Sequence, residues 1–418
     1  MKVYKFGGAS VRNADGVRNL HKIIGEEQHL FIIVSAMGKT TNALERVFAG
    51  VQQGDRAAAQ EAVDGLRQYH AEIIDDLWHG PTHLASVDGF FSELERIVAE
   101  TDYRPEDAEL WYDTIVAFGE LISTTIISEY LRFAGTPNQW LDMRQCMRTE
   151  QRHKDAAVDM EASAPLLRQA MAGADETIFI GQGFIGGAPD GSTTTLGREG
   201  SDYSAAVVAN LLDAESMSVW KDVDGVLNAD PKIFPDAVQI AELNYLDTIE
   251  LAYSGAQIIH PKTIKPLQNK HIPLYVRPFG DKRKPGTVIR GMSAPVQVPI
   301  LILKKDQVLL TIRSRDFSFV LEEKFSAIFS LLERFRLKAN LIHNSAVNLS
   351  LCVDETWHID EAVEALRTAG FDVMKTDRME LLTIRGYTTE LWERYARGPQ
   401  VFIRQSTQST VRIVRKRG

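Results

Sequence analysis

The sequence contains little cysteine and lacks any long apolar run. Cys146 and Cys352 are the only cysteines among 418 residues, and their separation matches no metal-ligand or redox spacing. No stretch of 18 uninterrupted apolar residues occurs, and residues 1–5 (M-K-V-Y-K) lack the apolar segment of a signal peptide. We therefore expect a cytoplasmic protein in a reducing compartment, with no membrane attachment.

An excess of positive charge is also missing. The chain has 47 Lys and Arg residues against 56 Asp and Glu residues, which gives a net charge of -9 at pH 7. A nucleic-acid partner needs a broad basic face. The basic stretch at residues 412–417 is short and interrupted. We therefore expect no nucleic acid among the partners.

The length predicts two or three domains, because 418 residues exceed one ordinary core. Up to about residue 290, strands such as 3–6 and 30–34 alternate with helices, and residues 106–131 are the clearest helical stretch. This order predicts an α/β fold with an open, mostly parallel sheet sandwiched by helices. From about residue 308 the order β-α-β-β-α-β predicts a ferredoxin-like region, with strands at 372–375 and 380–385 divided between it and a partial second copy.

A glycine-rich turn follows the first predicted strand. Residues 5–10 read K-F-G-G-A-S and lead into a helix. Glycines let backbone amides approach an anion, and a helix N-terminus adds partial positive charge. A neighbouring lysine can neutralise a transferring phosphoryl group, although an ordinary tight turn with a surface lysine has the same pattern. The spacing is not that of a Walker A motif.

Two further polar loops follow predicted strands. Residues 35–42 (S-A-M-G-K-T-T-N) come directly after strand 30–34, at the carboxyl end where ligands gather in open α/β sheets. Residues 193–202 (T-T-T-L-G-R-E-G-S-D) include Arg198, which can hold a carboxylate by two hydrogen bonds. Helix capping alone explains Ser201 and Asp202. Two loops suited to phosphate, at residues 5–10 and 193–202, nevertheless favour a functional interpretation more strongly than either loop does alone.

Two other motifs occur in the wrong context. Residues 181–186 read G-Q-G-F-I-G, but no helix follows, so we predict a strand that leads into a loop or hairpin rather than a dinucleotide site. Residues 222–225 read D-V-D-G, but Ile233 stands where a calcium loop needs Glu. A strand that ends at Lys221 and Asp222 fits a loop on the nucleotide side of a site.

Six motifs, in order, resemble those of the aspartate kinases of the amino-acid kinase family. They lie at residues 5–11, 34–42, 118–120 (F-G-E), 194–205, 222–231 and 254–261. The C-terminal region resembles the ACT domains that aspartate kinases carry. The resemblance implies an amino-acid kinase catalytic domain at residues 1–290 and a regulatory ACT region at 298–418. One full ACT unit would occupy about 308–376, and a shortened second unit would combine about 298–307 with 379–418.

This resemblance implies an enzyme that transfers the γ-phosphoryl group of ATP to the β-carboxylate of L-aspartate. The product, 4-phospho-L-aspartate, lies on the first step toward lysine, threonine and methionine. The implied cofactors are ATP and Mg²⁺, with the ion bound through the phosphates rather than in a protein metal site. An amino-acid effector and a homodimer or larger homo-oligomer are implied as well.

The resemblance also assigns roles to individual residues. Lys5 and Asp202 are the implied catalytic residues: Lys5 neutralises phosphoryl charge, and Asp202 orients Lys5. The implied substrate-binding residues are Ser35, Thr41, Glu120, Arg198 and Ser201, with Arg198 on the α-carboxylate and Glu120 on the α-amino group. The implied nucleotide-binding residues are Lys5, Gly7, Gly8, Lys221, Asp222, Lys232 and Gln257.

Some positions depart from the family pattern, and two alternatives stay open. Ala9 replaces a usual Thr, Glu199 a common Gly, and Gln257 a frequent Lys, while Leu227 and Lys232 replace a frequent Tyr and Arg beside the nucleotide. An amino-acid kinase acting on another carboxylate substrate is one alternative. A non-catalytic ACT-type amino-acid sensor is the other, although intact Lys5, Glu120, Arg198 and Asp202 argue against it.

The effector is expected to differ from that of lysine-sensitive relatives. Residues 314–319 (S-R-D-F-S-F) lack the glycine common there, and Asn340 stands where those relatives often carry an Asp that faces the effector's ammonium group. A neutral amide is a weaker partner for a cation than a carboxylate. We therefore expect weak or absent lysine inhibition, with threonine or no effector as the alternatives.

Overall fold

The structure, a computed structural model, describes residues 1–25, 27–175, 177–256, 259–292, 296, 298–315, 322–396 and 400–417. Its contacts group the chain into two compact units. The first unit contains Met1–Val226, Ala241–Ile249 and Ile258–Ala294, and the second contains Leu227–Ile240, Glu250–Gln257 and Pro295–Gly418.

The helices and strands have the following bounds. The helices are α1 Ala14–Ile24, α2 Thr40–Gln53, α3 Arg56–Leu77, α4 Ala85–Glu100, α5 Ala108–Val116, α6 Phe118–Phe133, α7 Met143–Cys146, α8 Met160–Met171, α9 Gly200–Leu211, α10 Tyr245–Tyr253, α11 Pro261–Asn269, α12 Glu322–Arg334, α13 Ile359–Thr368 and α14 Thr389–Ala396. The strands are β1 Lys2–Phe6, β2 Leu30–Val34, β3 Gln139–Leu141, β4 Ile178–Gln182, β5 Ile185–Gly187, β6 Thr193–Thr195, β7 Ser216–Lys221, β8 Glu242–Asn244, β9 Leu274–Pro278, β10 Thr287–Arg290, β11 Ile300–Ser314, β12 Ala339–Asn344, β13 Asn348–Asp354, β14 Phe371–Arg385, β15 Val401–Ser406 and β16 Thr410–Lys416.

An eight-stranded sheet of order β3-β4-β2-β1-β7-β9-β10-β8 forms the middle of the first unit. Its strands pair in parallel except where β10 meets β9. Strand β2 is apolar and buried throughout, and β1 is buried from Val3 to Phe6, as expected when helices cover both faces of a sheet. Because the ladders are in register, Phe6, Val34, Gln182 and Trp220 end side by side at one edge. The loops after β1, β2, β4 and β7 therefore lie together.

The predicted helix at residues 106–131 is a segmented helical stretch. A short 3₁₀ turn at Pro105–Asp107 precedes α5, and Ala117 separates α5 from α6. By length and composition Pro105–Phe133 would suffice to cross a membrane, but 89% of its most apolar window is buried inside the protein. This burial identifies it as a core helix of the first unit.

The second unit contains a six-stranded sheet of order β12-β13-β11-β14-β16-β15. The separate strands predicted at 372–375 and 380–385 are wrong, because β14 runs unbroken for 15 residues. It pairs antiparallel with the equally long β11, and a register shift between Lys304 and Gln307 divides the ladder. The polar residues 376–378 in the middle of β14 look like a turn in sequence. The strand is irregular there, since Arg378 has a φ of 59°, but pairing with β11 on both sides of this point makes β14 one strand.

The predicted fold class is confirmed. The first unit has a mixed, mostly parallel sheet with helices, and the second has an antiparallel sheet whose helices α12 and α13 pack on one face. The predicted hairpin after β4 is also present, since Ile185–Gly187 pairs antiparallel with Thr193–Thr195.

Candidate active site

A cleft of about 370 Å³ lies where the central strands end. It is lined by Lys5, Ser35, Thr41, Glu120, Phe184, Gly197, Glu199, Gly200, Ser201, Asp202 and Lys221. These residues come from the ends of β1 and β7, the loops after β2 and β4, the first turns of α2, α6 and α9, and the loop that leads into α9. The cleft thus occupies the carboxyl edge of the sheet, where ligands bind in open α/β folds.

Two lysines converge on one buried carboxylate in this cleft. Lys5 Nζ lies 2.8 Å from Asp202 Oδ1, and Lys221 Nζ lies 3.6 Å from Asp202 Oδ2. Lys5 is 8% exposed and Asp202 is 4% exposed. Burial alone would raise the pKa of Asp202, but the charges of Lys5 and Lys221 outweigh it and hold that pKa below its usual range. The cluster carries a net positive charge that can meet an anion.

Glu120 is a second buried carboxylate of the cleft, and its pKa is shifted in the opposite direction from that of Asp202. Its Oε1 accepts a hydrogen bond of 3.0 Å from the backbone amide of Ala36. Its Oε2 is buried and has no hydrogen-bond partner in the described protein. Burial raises the pKa of Glu120 to about 8, although the Ala36 amide and Lys5 oppose the rise. An unpartnered buried oxygen is costly, so this side of the cleft is suited to a cationic ligand group.

Two glycines let the loops of the cleft pack backbone against backbone. A Cβ on Gly8 would collide with the carbonyl oxygen of Ala36, and a Cβ on Gly183 would lie 2.5 Å from the Cβ of Ser201. Neither position has room for a side chain. Gly8 therefore joins the loops after β1 and β2, and Gly183 allows the start of α9 to approach β4.

Asp113 is a residue of this region that none of the sequence motifs contains. It lies on α5 with 0% exposure, and its carboxylate accepts hydrogen bonds from the backbone amide and hydroxyl of Thr195 at 3.0 and 2.6 Å. It also accepts from the backbone amide of Lys154, and His153 Nδ1 lies 3.0 Å away. Asp113 thereby positions the end of β6, directly before the loop that enters α9. A sequence signal was nevertheless present: within the helix predicted at residues 106–131, Asp113 precedes Glu120 by seven residues, the spacing that places two side chains on the same face of a continuous helix.

The loop between β6 and α9 carries Arg198 and Glu199. Arg198 is exposed and is not among the residues that line the cleft. Glu199 adopts the left-handed conformation with φ 53°, which is unfavourable for a residue with this side chain. Its Oε2 accepts a hydrogen bond of 3.0 Å from the backbone amide of His260, which holds the loop against the start of α11. A glycine at position 199 would relieve the backbone strain, but it would also remove the hydrogen bond with His260.

The cleft brings together several predicted site residues. Those that line it are Lys5, Ser35, Thr41, Glu120, Ser201, Asp202 and Lys221. Gly7 lies beside Lys5 Nζ, and Gly8 contacts the loop after β2. Asp222 is exposed directly after β7. Two nucleotide contacts stay predictions: Lys232 belongs to the second unit, and Gln257 lies outside the described residues.

Comparison with known proteins identifies the family. Residues 1–278 match the model of the amino acid kinase family. Over 363 residues the chain is 33% identical to the lysine-sensitive aspartokinase 3 of Escherichia coli K12, a match that covers 85% of this chain and 78% of that protein. The chain belongs to the aspartokinases of the amino acid kinase family. An aspartokinase of Chlamydia trachomatis is 31% identical over 79% of this chain and 74% of its own length.

Solved aspartokinases share the fold. The structure of E. coli aspartokinase III with aspartate and ADP, in its R-state, aligns with a TM-score of 0.80 at 27% identity, covering 100% of this chain and 96% of that one. The same enzyme with lysine and aspartate, in its T-state, aligns with a TM-score of 0.79 at 27% identity, covering 99% and 95%. As an aspartokinase, the chain is an ATP-dependent kinase.

The raised pKa of Glu120 predicts a pH-dependent stability. Because its folded pKa of about 8 exceeds the ordinary value of 4.5, folded protein holds a proton that unfolded protein has lost between those values. The free energy of unfolding should therefore decline as pH rises from about 4.5 to 8, by at most about 1.4 kcal/mol per pH unit. Glu120→Gln should remove this component.

Urea denaturation of the ligand-free protein at several pH values measures this effect. Glu129→Gln, a partly exposed position on the same helix, is the matched control and should keep the wild-type pH dependence. Identical pH profiles for wild type and Glu120→Gln would show that Glu120 does not carry this proton.

Proposed function

We propose that this cleft binds aspartate together with the terminal phosphates of ATP, and that the chain transfers the γ-phosphoryl group to the β-carboxylate of L-aspartate. The proposal rests on one observation: the cleft has one side suited to an anion and another side suited to a cation. Lys5 and Lys221 surround Asp202, while Glu120 presents an unpartnered carboxylate oxygen. Aspartate needs a partner for its ammonium group, and ATP needs partners for its phosphates. E. coli aspartokinase III, which was solved with aspartate and ADP, supports the same pair of ligands.

The proposed reaction is a direct attack of a β-carboxylate oxygen on the γ-phosphorus. The O–P bond to aspartate forms as the bond to the leaving ADP oxygen breaks, which gives 4-phospho-L-aspartate and ADP. A carboxylate nucleophile has no proton to lose, so the protein needs no general base. Its contribution is positioning and charge stabilisation. Lys5 and the amides of Gly7 and Gly8 would neutralise the phosphoryl oxygens, and Asp202 would hold Lys5 in place.

Aspartate recognition would use the other residues of the cleft. Glu120 Oε2 would accept hydrogen bonds from the α-ammonium group, whose charge would also lower the pKa of Glu120. Arg198, on the exposed loop, would close over the α-carboxylate and form two parallel hydrogen bonds. Ser35, Thr41 and Ser201 would complete the pocket with hydroxyl groups. Lys221 and Asp222 would lie on the nucleotide side.

Mg²⁺ would reduce the negative charge of the ATP phosphates. In the described residues no group of three or more His, Cys, Asp and Glu side chains is placed to hold a metal ion. Of the carboxylates in the cleft, Asp202 is paired with lysines and Glu199 with a backbone amide. These residues fit an ion held mainly by phosphate oxygens and water rather than by a protein cage. We further propose a cytoplasmic location and a homodimer or larger homo-oligomer.

The activity can be tested by trapping the acyl phosphate with hydroxylamine. Purified protein with Mg-ATP and aspartate should produce aspartyl hydroxamate in an ATP-dependent reaction. Glutamate and N-acetylglutamate serve as matched carboxylate substrates and should give little product. A signal from glutamate or N-acetylglutamate without one from aspartate would overturn the substrate assignment, and no signal from any of the three would favour a non-catalytic sensor.

We also propose that lysine inhibits this chain weakly or not at all. Asn340 is 6% exposed and is already bonded within the second unit. Its amide nitrogen donates to Gln307 Oε1 and Asp354 Oδ1 at 2.8 Å, and its Oδ1 accepts from Lys304 Nζ at 2.8 Å. The side-chain oxygen of Asn340 is thus already bonded to the ammonium group of Lys304. Of the loop at residues 314–319, positions 316–319 lie outside the described residues.

Titration of lysine and threonine, singly and together, tests this regulatory proposal. An inhibitor must bind one conformational state better than the other. Because Asn340 offers lysine no carboxylate, lysine should change the initial rate by less than about twofold at millimolar concentration. The lysine-sensitive aspartokinase 3 of E. coli, assayed alongside, is the positive control. Strong inhibition at sub-millimolar lysine would contradict the role given to Asn340.

A further inference from the structure

A second cavity in the first unit is larger than the catalytic cleft. Its volume is about 1110 Å³, and it runs between α2 and α3 beside the loop after β1. Its lining residues are Arg12, Asn13, Gly38, Lys39, Thr40, Asn42, Ala43, Arg46, Ala58, Glu61, Ala62, Gly65, Leu66 and Tyr69. We call this cavity the α2–α3 groove. Its size is that of a small-molecule site.

The groove combines unpaired cations with an apolar floor. Arg12, Lys39 and Arg46 line it, and none of the three forms an ion pair with a residue that the structure describes. Glu61 is the acidic side chain in the lining. Small and apolar side chains, chiefly of α3, separate the cations: Ala43, Ala58, Ala62, Leu66 and the ring of Tyr69. This pattern is complementary to an anion with an apolar body.

The first turn of α2 separates the groove from the catalytic cleft. Consecutive residues face the two cavities, since Thr40 lines the groove and Thr41 lines the cleft. Thr40 Oγ1 lies 3.4 Å from Nε2 of the buried His70 on α3. A ligand that spreads α2 and α3 would therefore displace the turn that carries Thr41.

Tyr69 adds a second connection between the groove and the catalytic loops. Its hydroxyl donates a hydrogen bond of 2.5 Å to the carbonyl of Arg12. Gly38 packs against the same hydroxyl, where an added Cβ would lie 2.5 Å away. The amide of Gly38 in turn donates to the carbonyl of Gly8 at 3.0 Å. One side chain of the groove thus contacts both loops whose glycines frame the phosphate side of the cleft.

We propose that the α2–α3 groove is an effector site for a small amphipathic organic anion. Its phosphate, sulfonate or carboxylate group lies among the three cations Arg12, Lys39 and Arg46, and its apolar body lies on Leu66 and Tyr69. Occupancy of the groove changes the affinity for aspartate through the first turn of α2. Binding stands independently of the proposed function, whereas the coupling to aspartate rests on it.

Gly65 provides a way to fill the groove without disturbing the fold. It lies inside α3 and lines the groove, and a Cβ added at this position would meet no atom within 4 Å. Gly65→Leu places a branched side chain in the groove and improves helix propensity. Gly89→Leu is the matched control, because Gly89 is equally open inside α4 but does not line the groove. Arg46→Glu removes one cation, with Arg56→Glu at the start of α3 as its control.

Fluorescence titration with 8-anilinonaphthalene-1-sulfonate tests binding. The titration is done on the full chain with saturating ADP and aspartate, so that the catalytic cleft is filled. We expect one saturable site in wild type, displaced by phenyl phosphate but not by benzyl alcohol. Gly65→Leu and Arg46→Glu should weaken it at least about tenfold, while Gly89→Leu and Arg56→Glu bind like wild type. Equal binding of the probe by Gly65→Leu and Gly89→Leu would overturn the proposal. Absence of probe binding because self-association of the chain closes the groove would overturn it as well.

The coupling between the groove and aspartate binding is measured in a separate experiment. Linkage requires that the probe change the affinity for aspartate by the same factor by which aspartate changes the affinity for the probe. We expect the probe to shift the KM for aspartate by at least about threefold in wild type and Gly89→Leu, and not in Gly65→Leu. An unchanged KM despite saturable binding would overturn the coupling. Loss of all kinase activity would count against the proposed function alone, since probe binding is read by fluorescence.

Discussion

The buried ion pair between Lys5 and Asp202 is the constraint on which the rest of the first unit depends. Its two members are 8% and 4% exposed, and an uncompensated charge at either position would be strongly destabilising. The end of β1 must therefore meet the first turn of α9, and Lys221 at the end of β7 adds a second positive charge beside the same carboxylate. Close packing at Gly183 makes this meeting possible, because no side chain separates β4 from Ser201.

The same cleft contains two buried carboxylates whose pKa values are shifted in opposite directions. The charges of Lys5 and Lys221 hold the pKa of Asp202 low despite burial, whereas burial raises the pKa of Glu120 to about 8. Carboxylates whose environments push their pKa values apart take different roles. Asp202 is already neutralised by the protein and can only orient its lysines. Glu120 has an oxygen without a partner, so it gains most from a ligand that brings a cation.

Local patterns predicted most of the kinase-like unit from sequence. The strands β1 and β2, the helix α9 and the residues Lys5, Glu120 and Asp202 stand in short motifs whose structure depends on near neighbours. Features that depend on distant pairing were not predicted. The continuous strand β14 exists because β11 pairs with it along its length, and Asp113 gains its role only when Thr195 folds against α5. The α2–α3 groove likewise depends on how two helices pack, which no motif encodes.

Asp202→Asn tests the central claim most directly, because it keeps the shape of the side chain and removes its charge. If Asp202 acts by holding Lys5 in position for the transferring phosphoryl group, kcat should fall by about 10²- to 10³-fold, the usual cost of disturbing one preorganised donor. The KM for aspartate should change by less than about threefold, since the contacts to substrate stay in place. Circular dichroism would confirm that the variant is folded. A folded Asp202→Asn enzyme with a kcat close to that of wild type would contradict the account.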